Sequence, residues 1–248
     1  MKRKKLTASM IALVMSVSLP MTTYAANWYL EDGSVTVNAD NSGQTVTQGG
    51  GSAVPDEAPV ITQRESSVET GNTIAINASD NATANVTIKD INIKSSKDAI
   101  DVTGSSSANI TLEGDNKIFS ETGSALHISD GNVTINGSGS LKAEIQDEPF
   151  GYNHNAKIGS HEKEDMSGSI HITGDATVKT DGNIASNCGG DGAGIGSGED
   201  GTMSGNIVID GNAQVEVSSN DRGAGIGSGD DGNLSGNIMI GGNAQVSA

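Results

Sequence analysis

Two acidic pairs, Glu199-Asp200 and Asp230-Asp231, follow identical glycine-rich segments 31 residues apart, and a third pair, Glu162-Lys163, holds the equivalent place in a more divergent copy. If these copies stack, Glu162, Glu199 and Asp230 fall in one column. Like charges directly opposite on neighbouring strands repel, and a hard cation between them removes that cost. Calcium suits such a place, because carboxylates and the backbone carbonyls of a Gly-rich turn both supply oxygen ligands. Glu162, Glu199, Asp200, Asp230 and Asp231 are therefore candidate calcium ligands. The same turns also read as solvated corners, where Asp and Gly recur for backbone reasons alone.

Other residues carry weaker chemistry. Trp28 and Tyr29 near the start, with Phe150, Tyr152 and His154 in a mid-chain segment, offer a local sugar-stacking contact in a chain otherwise poor in aromatics. The four histidines share no metal-like spacing; His127 and His171 alternate with apolar residues and are expected to face solvent. Beyond the first 25 residues the only arginines are Arg64 and Arg222, neither in a motif that would make it a lyase base. Carboxylates that recur with a repeat read as structural rather than as an acid–base pair, and no nucleophile elbow, phosphate loop or metal-hydrolase motif is present. A calcium-dependent polysaccharide lyase is thus the alternative, and a non-enzymatic protein the first expectation.

The elements that would position these groups follow from the repeat. Gly192-Ala-Gly-Ile-Gly-Ser-Gly198 returns as Gly223-Ala-Gly-Ile-Gly-Ser-Gly229, and the stretch from Ser204 to Val215 returns from Ser235 to Val246. A third copy lies 37 residues upstream, with Ile158, Ile170 and Val178 matching Ile195, Ile207 and Val215. Each period holds three extended pieces with period-two apolar alternation, separated by Gly, Asp, Asn or Ser. Three strands and three turns make one coil, and stacked coils would align Ile158–Ile195–Ile226, Ile170–Ile207–Ile238 and Val178–Val215–Val246 as interior ladders about 4.8 Å apart. The expected fold is all-β, a right-handed single-stranded parallel β-helix of about five coils over residues 72–248. Asn206 with Asn237, Asn212 with Asn243, and Gln214 with Gln245 would form amide ladders.

Residues 26–71 read as an N-terminal strand, Ser34-Val-Thr-Val-Asn38, followed by a Gly-, Ser-, Glu- and Pro-rich linker. Residues 1–25 read as a signal peptide: Lys2, Arg3, Lys4 and Lys5, an apolar run from Met10 to Leu19, and Thr23-Tyr-Ala25 as cleavage site. Removing its four basic residues leaves 10 Lys and Arg against 31 Asp and Glu, a formal charge of −21. That balance argues against nucleic acid and anionic membrane as partners and favours cations. No later run is apolar enough to insert in a membrane, and the lone Cys188 forms no internal disulfide.

Val86-Thr-Ile-Lys-Asp-Ile-Asn-Ile93, Ala99-Ile-Asp-Val102, Asn109-Ile-Thr-Leu-Glu-Gly-Asp-Asn116 and Gly131-Asn-Val-Thr-Ile-Asn-Gly-Ser-Gly-Ser-Leu141, followed by Gly-Ala-Gly-Ile-Gly repeats, resemble the exported β-helical carbohydrate-binding-domain proteins of Gram-positive gut and cellulose-degrading bacteria. The resemblance covers most of residues 28–248 and implies a secreted or cell-surface location. One branch of that family holds calcium and binds acidic polysaccharide such as polygalacturonate. The expected function is therefore a carbohydrate-binding or adhesive surface module, with a purely structural stalk as the other non-enzymatic reading. The sequence stops inside a repeat without a polar cap, so end-to-end self-association or continuation in a longer chain is also expected.

Overall fold

The computed structural model describes residues 25–146, 153–181, 190–219 and 222–248. Within them the protein is all-β, with three sheets of nine, eight and six strands whose pairings are parallel except in one N-terminal corner. From Ile74 onward successive strands enter the nine-, the eight- and the six-stranded sheet in constant order. Ile74–Ala78, Thr83–Lys89 and Asn92–Ser95 form the first such triplet, and Ile226–Gly227, Ile238–Ile240 and Gln245–Ser247 the last. Among the described residues no helix is long and apolar enough to cross a membrane.

Alternation decides what is buried. Thr83–Lys89 and Ser107–Glu113 put Ala84, Val86 and Ile88, and Ala108, Ile110 and Leu112, into the interior, while their intervening residues point outward. The three ladders anticipated from the repeat pair in register: Ile158–Ile195–Ile226, Ile170–Ile207–Ile238 and Val178–Val215–Val246. Asn237 donates to Asn206 at 3.0 Å and Asn243 to Asn212 at 3.1 Å, so the asparagine columns join neighbouring strands.

Along the outer side of the nine-stranded sheet one column runs Ala75, Asp101, His127, Gly159, Gly196, Gly227. Its second half must be glycine. Gly159, Gly196 and Gly227 have φ near +140°, and a Cβ on Gly196 would lie 1.7 Å from the Gly227 carbonyl oxygen. The strands there shrink to two residues, Ile158–Gly159, Ile195–Gly196 and Ile226–Gly227, and the flanking loops close over them.

The N-terminal region is more structured than a linker. Val35–Asp40 pairs antiparallel with Gly43–Gln48 and parallel with Ile74–Ala78, while Val60–Thr62 joins Asn27–Tyr29 to Thr83–Lys89 in the eight-stranded sheet. Pro55 and Pro59 made residues 49–71 read as loop, yet Ile61 is fully buried and the short strand around it is needed to continue the sheet. At the opposite end Leu234, Met239 and Ile240 are exposed.

Candidate functional site

The acidic pairs lie where the repeat puts them. Each turn closes by an N–H to C=O bond of 3.2 Å, Glu164 to His161, Gly201 to Gly198 and Gly232 to Gly229. Lys163, Asp200 and Asp231, at its third position, have φ between +53° and +61°. Asp tolerates that left-handed backbone better than most residues, which is a local reason for Asp200 and Asp231. The turns stack directly: the Lys163 N–H donates to the Glu199 carbonyl at 2.7 Å, and the Asp200 N–H to the Asp230 carbonyl at 2.9 Å. Glu162, Glu199 and Asp230 consequently form one column.

A second column of charge stands beside it. The 37- and 31-residue offsets that relate the turns also relate His154, Asp191 and Arg222. The Glu199 N–H donates to the His154 carbonyl at 2.9 Å, and the Asp230 N–H to the Asp191 carbonyl at 2.8 Å, so the columns are laced together through the backbone. Their side chains alternate in sign. His154 pairs with Glu199; Arg222 pairs with Asp191 at 2.8 Å and with Asp230 at 2.9 Å; Lys163 pairs with Glu162. Partial burial, together with the charges of Asp191, Glu162 and Asp200, raises the Glu199 carboxyl above its ordinary value against the opposing pull of His154. His154, Asp191 and Glu199 also bring one donor atom each within 4.8 Å of one another. Of the five candidate calcium ligands only Glu199 belongs to this donor triad, and the three carboxylates of the anticipated column each meet a nitrogen-bearing side chain of the protein itself: Lys163, His154 or Arg222.

A second cluster lies on the same sheet where the repeat breaks down. His127 follows Asp101 in the outer column, and the next residue in that column is Gly159, which has no side chain. The 161–166 turn folds over the vacated position and covers His127, only 7% exposed rather than facing solvent. His127 Nδ1 lies 2.8 Å from Asp101 Oδ1, and its Nε2 2.8 Å from Glu164 Oε2. The His161 ring stacks on it with centroids 4.0 Å apart and planes 9° from parallel, and His161 Nε2 lies 2.7 Å from Asp98 Oδ1. Burial would lower the affinity of His127 for its proton, but the bonds to Asp101 and Glu164 outweigh it and push the pKa up to about 9. The carboxyls of Asp98 and Glu164, although partly buried, are lowered by their bonds to the imidazoles.

The aromatic candidates are dispersed. Trp28 packs against the core and donates its indole N–H to buried Asp56 at 2.8 Å, while Tyr29 lies 4.2 Å beneath the Arg64 guanidinium, itself held by Asp32. His154 belongs to the charge columns, several strands away along the stack. Phe150 and Tyr152, like Cys188 and residues 1–24, lie outside the described residues. His171 is half-exposed and bonded to Asp210 at 2.9 Å.

On the outside of the six-stranded sheet an open cleft of ≈ 370 Å³ is lined by Thr177, Lys179, Gln214, Glu216, Gln245 and Ser247 among others. These outward residues stand in two registered rows, Thr177–Gln214–Gln245 and Lys179–Glu216–Ser247.

Spacing alone could have found the His154–Asp191–Arg222 column, since it obeys the offsets already in hand. The His127 cluster could not be found that way, because its groups come from three unequal passes of the chain, 26 and then 34 residues apart from Asp101 to His127 to His161. No known family, characterised protein or solved structure matches the chain.

Proposed function

We propose that this chain is an exported, right-handed, single-stranded parallel β-helix that serves as a carbohydrate-binding or adhesive module at the cell surface. The constant order in which strands enter the three sheets supports the fold. Residues 1–25 supply the export signal in this reading. Self-association through the exposed Leu234, Met239 and Ile240 is part of the same proposal.

The observation that carries the binding reading is the open cleft on the six-stranded sheet. Its amide, hydroxyl, ammonium and carboxylate groups recur at the strand spacing, so they offer a linear glycan donors and acceptors at a fixed interval of about 4.8 Å. A glycan array probed with and without calcium tests it. Glycan binding lost on replacing Gln214 and Gln245 by Ala, with unchanged circular dichroism, supports the reading; binding indifferent to both substitutions moves the surface elsewhere.

Calcium enters this reading at the Glu162–Glu199–Asp230 column, where it has to outcompete Lys163, His154 and Arg222. A calcium-loaded site would stabilise the fold by about 2.7 kcal/mol at a hundredfold excess over Kd. A melting temperature lowered by chelator at fixed ionic strength supports it, and an indifferent one removes calcium from the proposal. The internal pairing of these charges favours a second reading, a purely structural stalk, for which the array gives no ligand. Lyase chemistry is the less favoured alternative, because Arg64 and Arg222 both sit in carboxylate ion pairs that hold a guanidinium charged rather than poised as a base.

A further inference from the structure

We propose that Asp98, His127 and His161 form a binding site for a divalent transition metal of the zinc class, distinct from any calcium site in the acidic turns and independent of the carbohydrate reading. One donor atom from each residue lies within 4.8 Å of the other two. The set is two imidazole nitrogens and one carboxylate oxygen, which suits zinc and its neighbours; calcium takes oxygen ligands throughout. Ligands at about 2.0–2.2 Å from a tetrahedral ion stand roughly 3.4 Å apart, so to close on an ion the His127 and His161 rings, now stacked nearly parallel, turn out of their stack until both in-plane lone pairs meet at one point.

The surroundings are those of a prepared site rather than a chance meeting of side chains. Metal-bound imidazoles are usually oriented by a carboxylate on the other ring nitrogen. His127 is buried between Asp101 and Glu164, both at 2.8 Å; in the proposed site Nε2 leaves Glu164 for the ion, and Nδ1 keeps its bond to Asp101, which orients the ring. Glu164 Oε2 also accepts the His161 backbone N–H at 3.0 Å, which fixes the turn carrying the third donor. Asp98 is fixed in the same way by the Ser124 N–H at 2.8 Å. His161, two residues beyond Gly159, opens the turn that closes by the Glu164 N–H to the His161 carbonyl at 3.2 Å. In the other donor triad Arg222 already engages Asp191, whereas here the carboxylates meet the imidazoles themselves. On binding, the ion takes one ring nitrogen of His127, one of His161 and a carboxylate oxygen of Asp98; each imidazole keeps one proton on its other nitrogen, and any proton displaced goes to solvent. Because the donors come from three successive passes of the chain, the ion clamps those passes together.

The test is a calorimetric titration of the full, tag-free, chelator-stripped chain with Zn²⁺ alone, accompanied by Co²⁺ absorption to report nitrogen–oxygen coordination. One-to-one binding is expected, not displaced by excess calcium. His161→Gln should abolish it, Asp101→Asn should weaken it by about 10- to 100-fold, and Glu199→Gln should leave it unchanged. Absence of saturable binding overturns the proposal, as does wild-type affinity in His161→Gln or loss of binding in Glu199→Gln. Should His161→Gln fail to show the strand-rich circular dichroism of the parent, Asp101→Asn decides alone, and an unchanged affinity there is a negative result.

Discussion

The two charged clusters on the nine-stranded sheet are built by opposite means. In the Glu162–Glu199–Asp230 region the repeat stacks like on like, and beside that column stands a second one of mixed type, His154–Asp191–Arg222, whose Arg222 guanidinium bonds to both Asp191 and Asp230. Around His127 nothing repeats. Asp98 and Asp101, His127, and His161 with Glu164 come from three different passes and meet where the turn after Gly159 lies over His127. Repetition gives a ladder that must compensate its own charge; interruption of the repeat gives an enclosed pocket of mixed donors. A specific chemical site is therefore expected at the interruption.

The sharpest way to break this comparison is to exchange the side-chain rules of the column that both regions share. At Gly196 a methyl group would strike the backbone of the next strand at 1.7 Å, and φ is +143°. Gly196→Ala should cost more than about 4 kcal/mol, the range reserved for backbone clash and strain, or prevent folding. Denaturant unfolding measures it. A loss below about 1 kcal/mol would mean that the stacked strands part easily and that the glycine column is not what sets their approach.

At His127, two passes earlier in the same column, a side chain is accommodated and bonded, so truncation rather than addition does the damage. His127→Ala removes a buried imidazole and leaves the carboxylates of Asp101 and Glu164, each more than a third exposed, without their shared partner, at a cost of about 2 kcal/mol, most of it the lost hydrogen bonds and packing because solvent screens the charges. Equal stability of variant and parent, measured in chelator, would show that the cluster contributes no net energy to the apo fold.

How much of this was legible in the sequence divides along the same line. Offsets of 37 and 31 residues gave the ladders Ile158–Ile195–Ile226, Ile170–Ile207–Ile238 and Val178–Val215–Val246, and placed Glu162, Glu199 and Asp230 in one column, because in-register stacking converts equal spacing into contact. The residues beside that column were equally accessible to the offsets but are hidden by type, since His154, Asp191 and Arg222 do not look like copies of one another. The strand at Val60–Thr62 was obscured by Pro55 and Pro59. The burial of His127 was not legible at all: its alternation with Leu126 and Ile128 correctly gives an outward side chain, and only the loop that follows Gly159 covers it.

Within the repeated region the compensation itself can be broken from the cationic side. Asp191 is 6% exposed in its side chain and is held by Arg222 through two nitrogens, at 2.8 and 3.3 Å. Arg222→Gln removes that charge and leaves a covered carboxylate with weaker partners, so thermal unfolding should show a loss of about 1–3 kcal/mol. Adding Asp191→Asn should recover most of it, because neutralising both partners removes the uncompensated charge. Additive losses would mean that the two residues do not act as a pair.

The smallest effect is expected at Glu199, and its sign is the informative part. The folded protein raises this carboxyl above its ordinary value through partial burial and the charges of Asp191, Glu162 and Asp200. A carboxyl whose folded pKa exceeds its unfolded one costs stability when ionised in both states, and the fold recovers that cost as pH falls through the folded pKa. Glu199→Gln should therefore match or slightly exceed the parent at neutral pH, by about 0.5 kcal/mol or less, since the group is near the surface. The gap should close as the solution is acidified below the carboxylate range. Melting curves of the two proteins in chelator, compared at neutral and acidic pH, measure this directly. A clear loss of stability at neutral pH would show instead that the pairing of Glu199 with His154 outweighs its like-charged neighbours. The acidic column would then be held by that ion pair rather than tolerated beside it, and a cation entering there would have to replace a stabilising contact before adding one of its own.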